Sequence, residues 1–328
     1  MARKLRLEFP GAVYHVINRG NCRRAVFTAE KTKAAFEACL FQACARSGWV
    51  LHAYVVMRNH YHLALETPKG NLVIGMQWLE ATFANRFNRF RGEHGHLFQG
   101  RYKALLVDED SSLGPLCDYI HLNPVRAGVA TVAGLRDVSH SSYWHLWRTE
   151  GRPAFLRVET ALKEAGGLAD TAPGRAAYAA YLEWQAAEGP AGKNEAYANL
   201  SQGWALGTEE FKADLVRDHQ IAAAARALEP NGAAEVRSMR WQEALEVAVD
   251  RLPATARTAP DAARKSAAWK VAVATHLKST TDVSNGWLAS QLDMGTAAYV
   301  SKHVGLLQRN GGPGKKWLEA LQKVNGET

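Results

Sequence analysis

The sequence predicts an α+β fold: an antiparallel sheet of ferredoxin-like order with helices on one face, followed by a mainly α-helical C-terminal region. Three observations predict it. Short runs of β-branched and aromatic residues read as strands, helical periodicities separate them in the order β-α-β-β-α-β, and beyond residue 150 the chain turns alanine-rich. The expected organisation is 1–150 for the α+β domain, 151–252 for a helical, Ala-rich region and 261–328 for a basic helical region. The stretch "PATARTAP" between Pro253 and Pro260 reads as a linker.

Each element has its own reason. "AVYHVINR" (12–19) is rich in strand formers. Thr28 offers an N-cap for "AEKTKAAFEACLFQACARSG", whose apolar residues recur at helical spacing until Gly48 stops them. "WVLHAYVVM" (49–57) and "HYHLALET" (60–67) are two strands joined by a short turn, and Pro68 and Gly70 end the second. Residues 72–91 form an amphipathic helix in which Phe83, Phe87 and Phe90 make a core stripe. "RYKALLVDE" (101–109) is a further strand, and Ser111 or Ser112 opens a helix ending near Asn123-Pro124. Helical segments fill 172–250, with breaks at "EGPAGKN" and "EPNGA". In "SNGWLASQLDMGTAAYVSKHVGLL" (284–307) two helices flank an Asp-Met-Gly turn, which suits a DNA-binding helix-turn-helix or an ordinary packed helix pair.

Composition narrows the function classes. The chain has 328 residues, 47% hydrophobic and 22% charged, as an ordinary soluble protein does. No apolar run approaches the ~18 residues of a membrane span, and the start lacks a signal-peptide core, so a cytoplasmic location without membrane contact is expected. Cys22, Cys39, Cys44 and Cys117 show no metal-ligand spacing and read as reduced thiols. Residues 1–150 carry 19 Lys and Arg against 12 Asp and Glu, and residues 265–328 carry 8 against 4, whereas the middle is slightly acidic. Basic ends attract polyanions, nucleic acid foremost; solvated surface charge is the bland alternative.

The chemistry concentrates in "RNHYHLALE" (58–66). Side chains alternate faces along a strand, so Tyr61, Leu63 and Leu65 fall on one side and His60, His62, Ala64 and Glu66 on the other. The two histidines are roughly 7 Å apart at Cα and can converge on one ion. In "DYIHLNPVRAG" (118–128), Tyr119 and Asn123 share a helix face, while His121 points about 200° away. Packed on the open sheet face, this helix can bring the Asn123 amide to His60 and His62 around one divalent cation, with Tyr119 beside it as a nucleophile. Zinc would want a third His, Cys or carboxylate, and Glu66 lies about 13 Å from His62, so Mg²⁺ or Mn²⁺ is preferred. Taken singly, the histidines also fit half-buried polar positions, Tyr119 a packing role and Asn123 a helix C-cap.

Together the motifs resemble a known family. "FPGAVYHVINRGNCRRAVF", "RNHYHLALETP", "FANRFNRFRGEHGHLFQGRYKA" and "YIHLNPVRAG" occur in order over roughly residues 5–147. They are similar to the single-tyrosine HUH transposases, on the branch of the REP-associated tyrosine transposases. The resemblance implies a single-stranded DNA endonuclease and strand transferase acting at palindromic repeat hairpins. It assigns Tyr119 as nucleophile and His60, His62 and Asn123 as ligands of Mg²⁺ or Mn²⁺, with a 5′-phosphotyrosine intermediate and a free 3′-hydroxyl. Rejoining would need no ATP, and no Walker-type sequence occurs near a strand. Expected DNA contacts are Arg86 and Arg89 on the 72–91 helix, Arg101 and Lys103 on the following strand, and His15 and Arg19 on the first strand, each of which can equally be plain surface. The alternatives are a rolling-circle initiator or relaxase-type nickase, and a non-catalytic DNA-binding regulator. Monomer and homodimer stay open, as does whether the tyrosine helix acts in cis or in trans.

Overall fold

A computed structural model describes residues 7–187, 199–201, 203–218, 230–258 and 262–322. The chain divides into two compact units, 1–233 and 234–328. The contacts therefore break some eighty residues after the change in composition at 150, because the intervening helices pack onto the sheet domain rather than beside it.

In the first unit β1 (Ala12–Arg19), β2 (Val50–Val56), β3 (His60–Thr67), β4 (Lys103–Val107) and β5 (Ala205–Leu206) form one sheet in the order β2-β3-β1-β4-β5. The first four strands are antiparallel in the predicted order; β5, which the sequence did not suggest, adds a short parallel edge on β4. Helices α1 (Glu30–Ser47) and α2 (Leu72–Arg91) pack together on one face. There the core-facing Tyr61 meets Phe36, and Phe36 and Phe83 meet edge to face with ring centroids 5.1 Å apart. Two local expectations change. Ala29, not Thr28, occupies the N-cap of α1, and Phe90 is 80% exposed, since the aromatic cluster of Phe27, Phe36, Phe83 and Phe98 ends alongside Phe87.

The opposite face carries α3 (Leu113–Arg126), which lies over β2 and β3 and leaves the Ile17, Arg19 and Lys103 end of β1 and β4 facing an open pocket. This helix runs past Pro124, where a stop was expected, because proline in a last turn sacrifices one backbone bond without displacing the last two residues. Helices α4 (Glu159–Glu164) and α5 (Ala172–Ala187) back α3. Tyr178 of α5 donates to Asp118 at 2.7 Å, and its hydroxyl is 2.7 Å from His121 Nδ1, so His121 is occupied away from His60 and His62.

The free edge of β2 is closed by residues 138–147, held through Glu37 of α1. Glu37 accepts from the Tyr54 hydroxyl and sits 3.1 Å from His140 Nδ1. Burial opposes ionisation of Glu37, yet bonds from His140, His145 and Tyr54 outweigh it and bring its pKa to about 2. Burial likewise opposes the charge on His140, but Glu37 and Glu30 raise its pKa above 6.5. The Glu37 contribution is present above its unfolded value of 4.5 and lost as pH falls through its folded value. The His140 contribution is complete below 6.5 and lost as pH rises through the raised value. Glu37→Gln is expected to cost about 1–3 kcal/mol near pH 6, less in alkali, by urea melts at several pH values. A cost that grows with pH would contradict this pairing.

The second unit is helical: Ala254–Arg257, Ala268–Thr280, Asn285–Gln291, Ala297–Asn310 and Lys315–Gln322 come after the helix Pro230–Asp250. Pro230 opens that helix where "EPNGA" suggested a break, in keeping with proline's preference for the first helical position. The "EGPAGKN" break lies outside the described residues. Part of the expected linker is a helical turn, with Ala256 buried in the core beside Leu252 and Leu277. In the 284–307 segment, Ser284 and Thr296 cap the two helices, Asp293 and Gly295 take positive φ, and Met294 plugs the core.

Candidate functional site

The site lies on the sheet face that α3 half covers. Antiparallel register places Ile17 opposite His62 and Arg19 opposite His60 on β3, with Lys103 beyond Ile17 on β4. From α3, residues 119, 123 and 126 share one face, being about 40° and −20° from Tyr119 in azimuth. The rings of His60 and His62 lie 5.0 Å apart, and the Tyr119 ring is 5.6 Å from His62. Asn123 Nδ2 lies 3.4 Å from His62 Nε2, and its amide also engages His60 and Tyr119. The four residues named from the sequence thus meet within one chain, with the tyrosine helix on its own sheet.

Burial and neighbours set the protonation. Burial lowers the His60 pKa, with help from Arg19 and against the Asn123 amide. His62 falls well below its usual value through burial and then through His15, His60 and Arg126. Both shifts favour the neutral imidazole, which has a lone pair to offer. Tyr119, 9% exposed, is raised by burial, while the Arg126 guanidinium, 5.0 Å from the ring centre, and the Asn123 amide favour its anion.

An open pocket of about 770 Å³ adjoins these residues. Arg19, Arg23, Arg101 and Lys103 line it together with Tyr119 and the histidines. Lys103 Nζ donates to the Ser201 carbonyl at 2.6 Å. Of the expected DNA contacts, Arg19, Arg101 and Lys103 belong to this pocket. Arg86 and Arg89 do not: they are on α2, across the sheet, where Arg86 bonds to Cys39 and Gln42 of α1. His15 is fully buried and faces His62, so it is not a surface for DNA.

Sequence reasoning passed over Arg23 and Arg126. The second was readable, seven residues after Tyr119 and hence on its face. The first depends on a tight turn after β1 in which Cys22 and Arg23 both take positive φ. That turn also requires Gly20, where a Cβ would lie 2.2 Å from the Arg24 carbonyl oxygen.

The donor set suits an open divalent site. Among the described residues no three His, Cys, Asp or Glu side chains gather as metal ligands, which leaves two neutral imidazoles and an amide beside an open pocket. Such a set leaves coordination positions for water and phosphate, and its two nitrogens suit Mn²⁺ better than the oxygen-seeking Mg²⁺. Among the described residues no helix is long and apolar enough to cross a membrane.

Part of the chain is similar to known proteins. Residues 9–123 match the family model of the IS200-like transposases. A Haemophilus influenzae protein provisionally assigned as a REP-associated tyrosine transposase is 25% identical over 119 residues, which cover 33% of this chain and 66% of that protein. The chain thus spans slightly under two thirds of that relative's length. A solved REP-associated tyrosine transposase bound to a REP hairpin superposes with a TM-score of 0.38 at 16% identity, covering 47% of this chain and 90% of that one. Over residues 9–123 the chain is therefore similar to the IS200-like transposases, and over part of its length to a protein provisionally assigned as a REP-associated tyrosine transposase.

Proposed function

We propose that the first unit cuts and rejoins single-stranded DNA beside a repeat hairpin, with Tyr119 as the nucleophile. The observation that carries this reading is the convergence of Tyr119, His60 and His62 at a basic pocket, with Asn123 against His62. A strand enters across Arg19, Arg23, Arg101 and Lys103, whose charges suit phosphates. Tyr119 Oη forms a bond to phosphorus as the bond from phosphorus to the 3′ oxygen breaks. In net terms the phenol's proton ends on that 3′ oxygen, leaving a 5′-phosphotyrosine and a free 3′-hydroxyl. Arg126 and Asn123 steady the phenolate character that Tyr119 gains on the way. Mg²⁺ or Mn²⁺ held by His60, His62 and Asn123 would supply charge neutralisation and alignment of the scissile phosphate. Reversal by an incoming 3′-hydroxyl rejoins strands, so the bond energy is conserved.

The test is a labelled repeat hairpin with a single-stranded flank, incubated with the full chain and Mn²⁺. One cut and a protein-linked product are expected; no cut with either metal on hairpins that bind tightly would favour the non-catalytic regulator. The pocket also predicts salt dependence. If its four cations each meet a phosphate, single-strand affinity should fall about 50-fold between 50 and 200 mM salt, and Arg101→Ala should reduce the logarithmic slope by about 0.7. A slope unchanged by Arg101→Ala would remove that residue from the DNA path.

The second unit suits a duplex reader. Its helix Ala297–Asn310 presents Ser301, Lys302 and Arg309 to solvent after a capped tight turn. Lys302→Ala with Arg309→Ala should weaken binding of duplex DNA several-fold and leave cutting of a short hairpin unaltered. Unchanged duplex affinity would assign the pair a packing role.

A further inference from the structure

We propose that His15 is a positioning residue which, anchored by the Leu200 carbonyl, fixes His62 as the tautomer with its Nε2 lone pair facing Asn123. The proposal rests on the site reading above. It gives a function to a fully buried histidine and to a backbone carbonyl that lies beyond the family match at 9–123.

The geometry allows one proton arrangement. His15 is two residues before Ile17, the cross-strand partner of His62, and so is its diagonal neighbour on the same face. The rings lie edge to edge and close to coplanar, with 5.2 Å between centroids and 24° between planes, as an in-line bond between ring nitrogens requires. His15 Nδ1 is 2.6 Å from the Leu200 carbonyl oxygen, and His15 Nε2 is 2.9 Å from His62 Nδ1. A carbonyl oxygen can only accept, so His15 Nδ1 carries a proton. A neutral imidazole has one N–H, which makes His15 Nε2 an acceptor and obliges His62 Nδ1 to donate. His62 Nε2 is then bare. The reversed arrangement would set two lone pairs against each other across 2.6 Å, and an imidazolium would put a charge in a fully enclosed place.

This differs from what His62 would choose alone, since a free neutral histidine in water favours the proton on Nε2. His60 needs no such distant help: its Nδ1 lies 2.7 Å from Oδ1 of the adjacent Asn59, again an acceptor. A metal-binding histidine commonly donates its second N–H to a fixed acceptor. Here the acceptor for His62 is another histidine, itself oriented by a residue 185 positions away.

The test uses the full chain, labelled with ¹⁵N-histidine and free of metal. Long-range ¹H–¹⁵N correlation should show His62 protonated at Nδ1 and bare at Nε2. His15→Phe keeps a ring but offers no acceptor; it should move His62 toward the Nε2–H form and weaken Mn²⁺ binding, read by water-proton relaxation, about 10-fold. His15→Gln should restore both, because its amide can accept from His62 and donate to Leu200. A proton on Nε2 of His62 in the unaltered protein overturns the proposal, and so does a His15→Phe variant with unaltered tautomer and Mn²⁺ affinity. A correct tautomer in a protein whose His60 and His62 signals ignore Mn²⁺ supports the His15 arrangement and instead defeats the metal reading.

Discussion

Tyr119→Phe is expected to abolish the covalent protein–DNA product and to lower hairpin cutting by at least about 10³-fold, with single-strand affinity unchanged within about twofold. The substitution removes one oxygen and keeps the ring that packs against His62 and lies under Arg126. With 9% of the residue exposed, the phenol's surroundings are largely those of a packed aromatic, and phenylalanine fills the same volume. Stability should therefore change little, and binding rests on the pocket cations rather than on the hydroxyl. Equal losses of binding and cutting would mean that Tyr119 supports the fold of the pocket and does not perform the attack.

His62→Ala is the second large effect. It should reduce metal-dependent cutting by about 10³-fold and abolish tight Mn²⁺ binding while the protein still holds single-stranded DNA. It also strips His15 Nε2 of its donor, so a stability loss of about 1–3 kcal/mol is expected as well. His60→Ala should match it in activity but cost less stability, because His60 is partly exposed and its other partner, Asn59, is close to solvent. Asn123→Ala should be the mildest, about 10-fold and partly recovered by more Mn²⁺, since a water can take an amide oxygen's place. The order of the three losses is decisive: a His62→Ala protein that cuts as well as Asn123→Ala would remove His62 from the metal site. Metal titrations and cutting rates on the three variants measure it.

Much of the site was legible because it depends on short-range geometry. Two residues on one strand face and two on one helix face can be read from spacing alone, and the 72–91 helix has the limits its periodicity implies. What failed depended on distant neighbours. His15 looked like a strand residue open to DNA, and nothing near it in sequence announces the Leu200 carbonyl that encloses it. Phe90 continued a stripe that no longer had anything to pack against. Arg86 and Arg89 were basic and close to aromatics, yet the sheet separates them from the pocket. The break at 150 marked a change of composition, not of contacts, since Tyr178 and Gln185 reach back to Asp118, one residue from Tyr119.

The most direct test of the central claim is to map the protein–DNA adduct. The full chain is incubated with a labelled hairpin and Mn²⁺, digested, and its nucleotide-bearing peptide identified by mass. A 5′-phosphate should be attached to Tyr119, in a peptide containing "DYIHLNPVR", and should be lost when Tyr119→Phe is used. An adduct on Tyr102, Tyr61 or any other residue would contradict the assignment, as would strand cutting that persists at full rate in Tyr119→Phe.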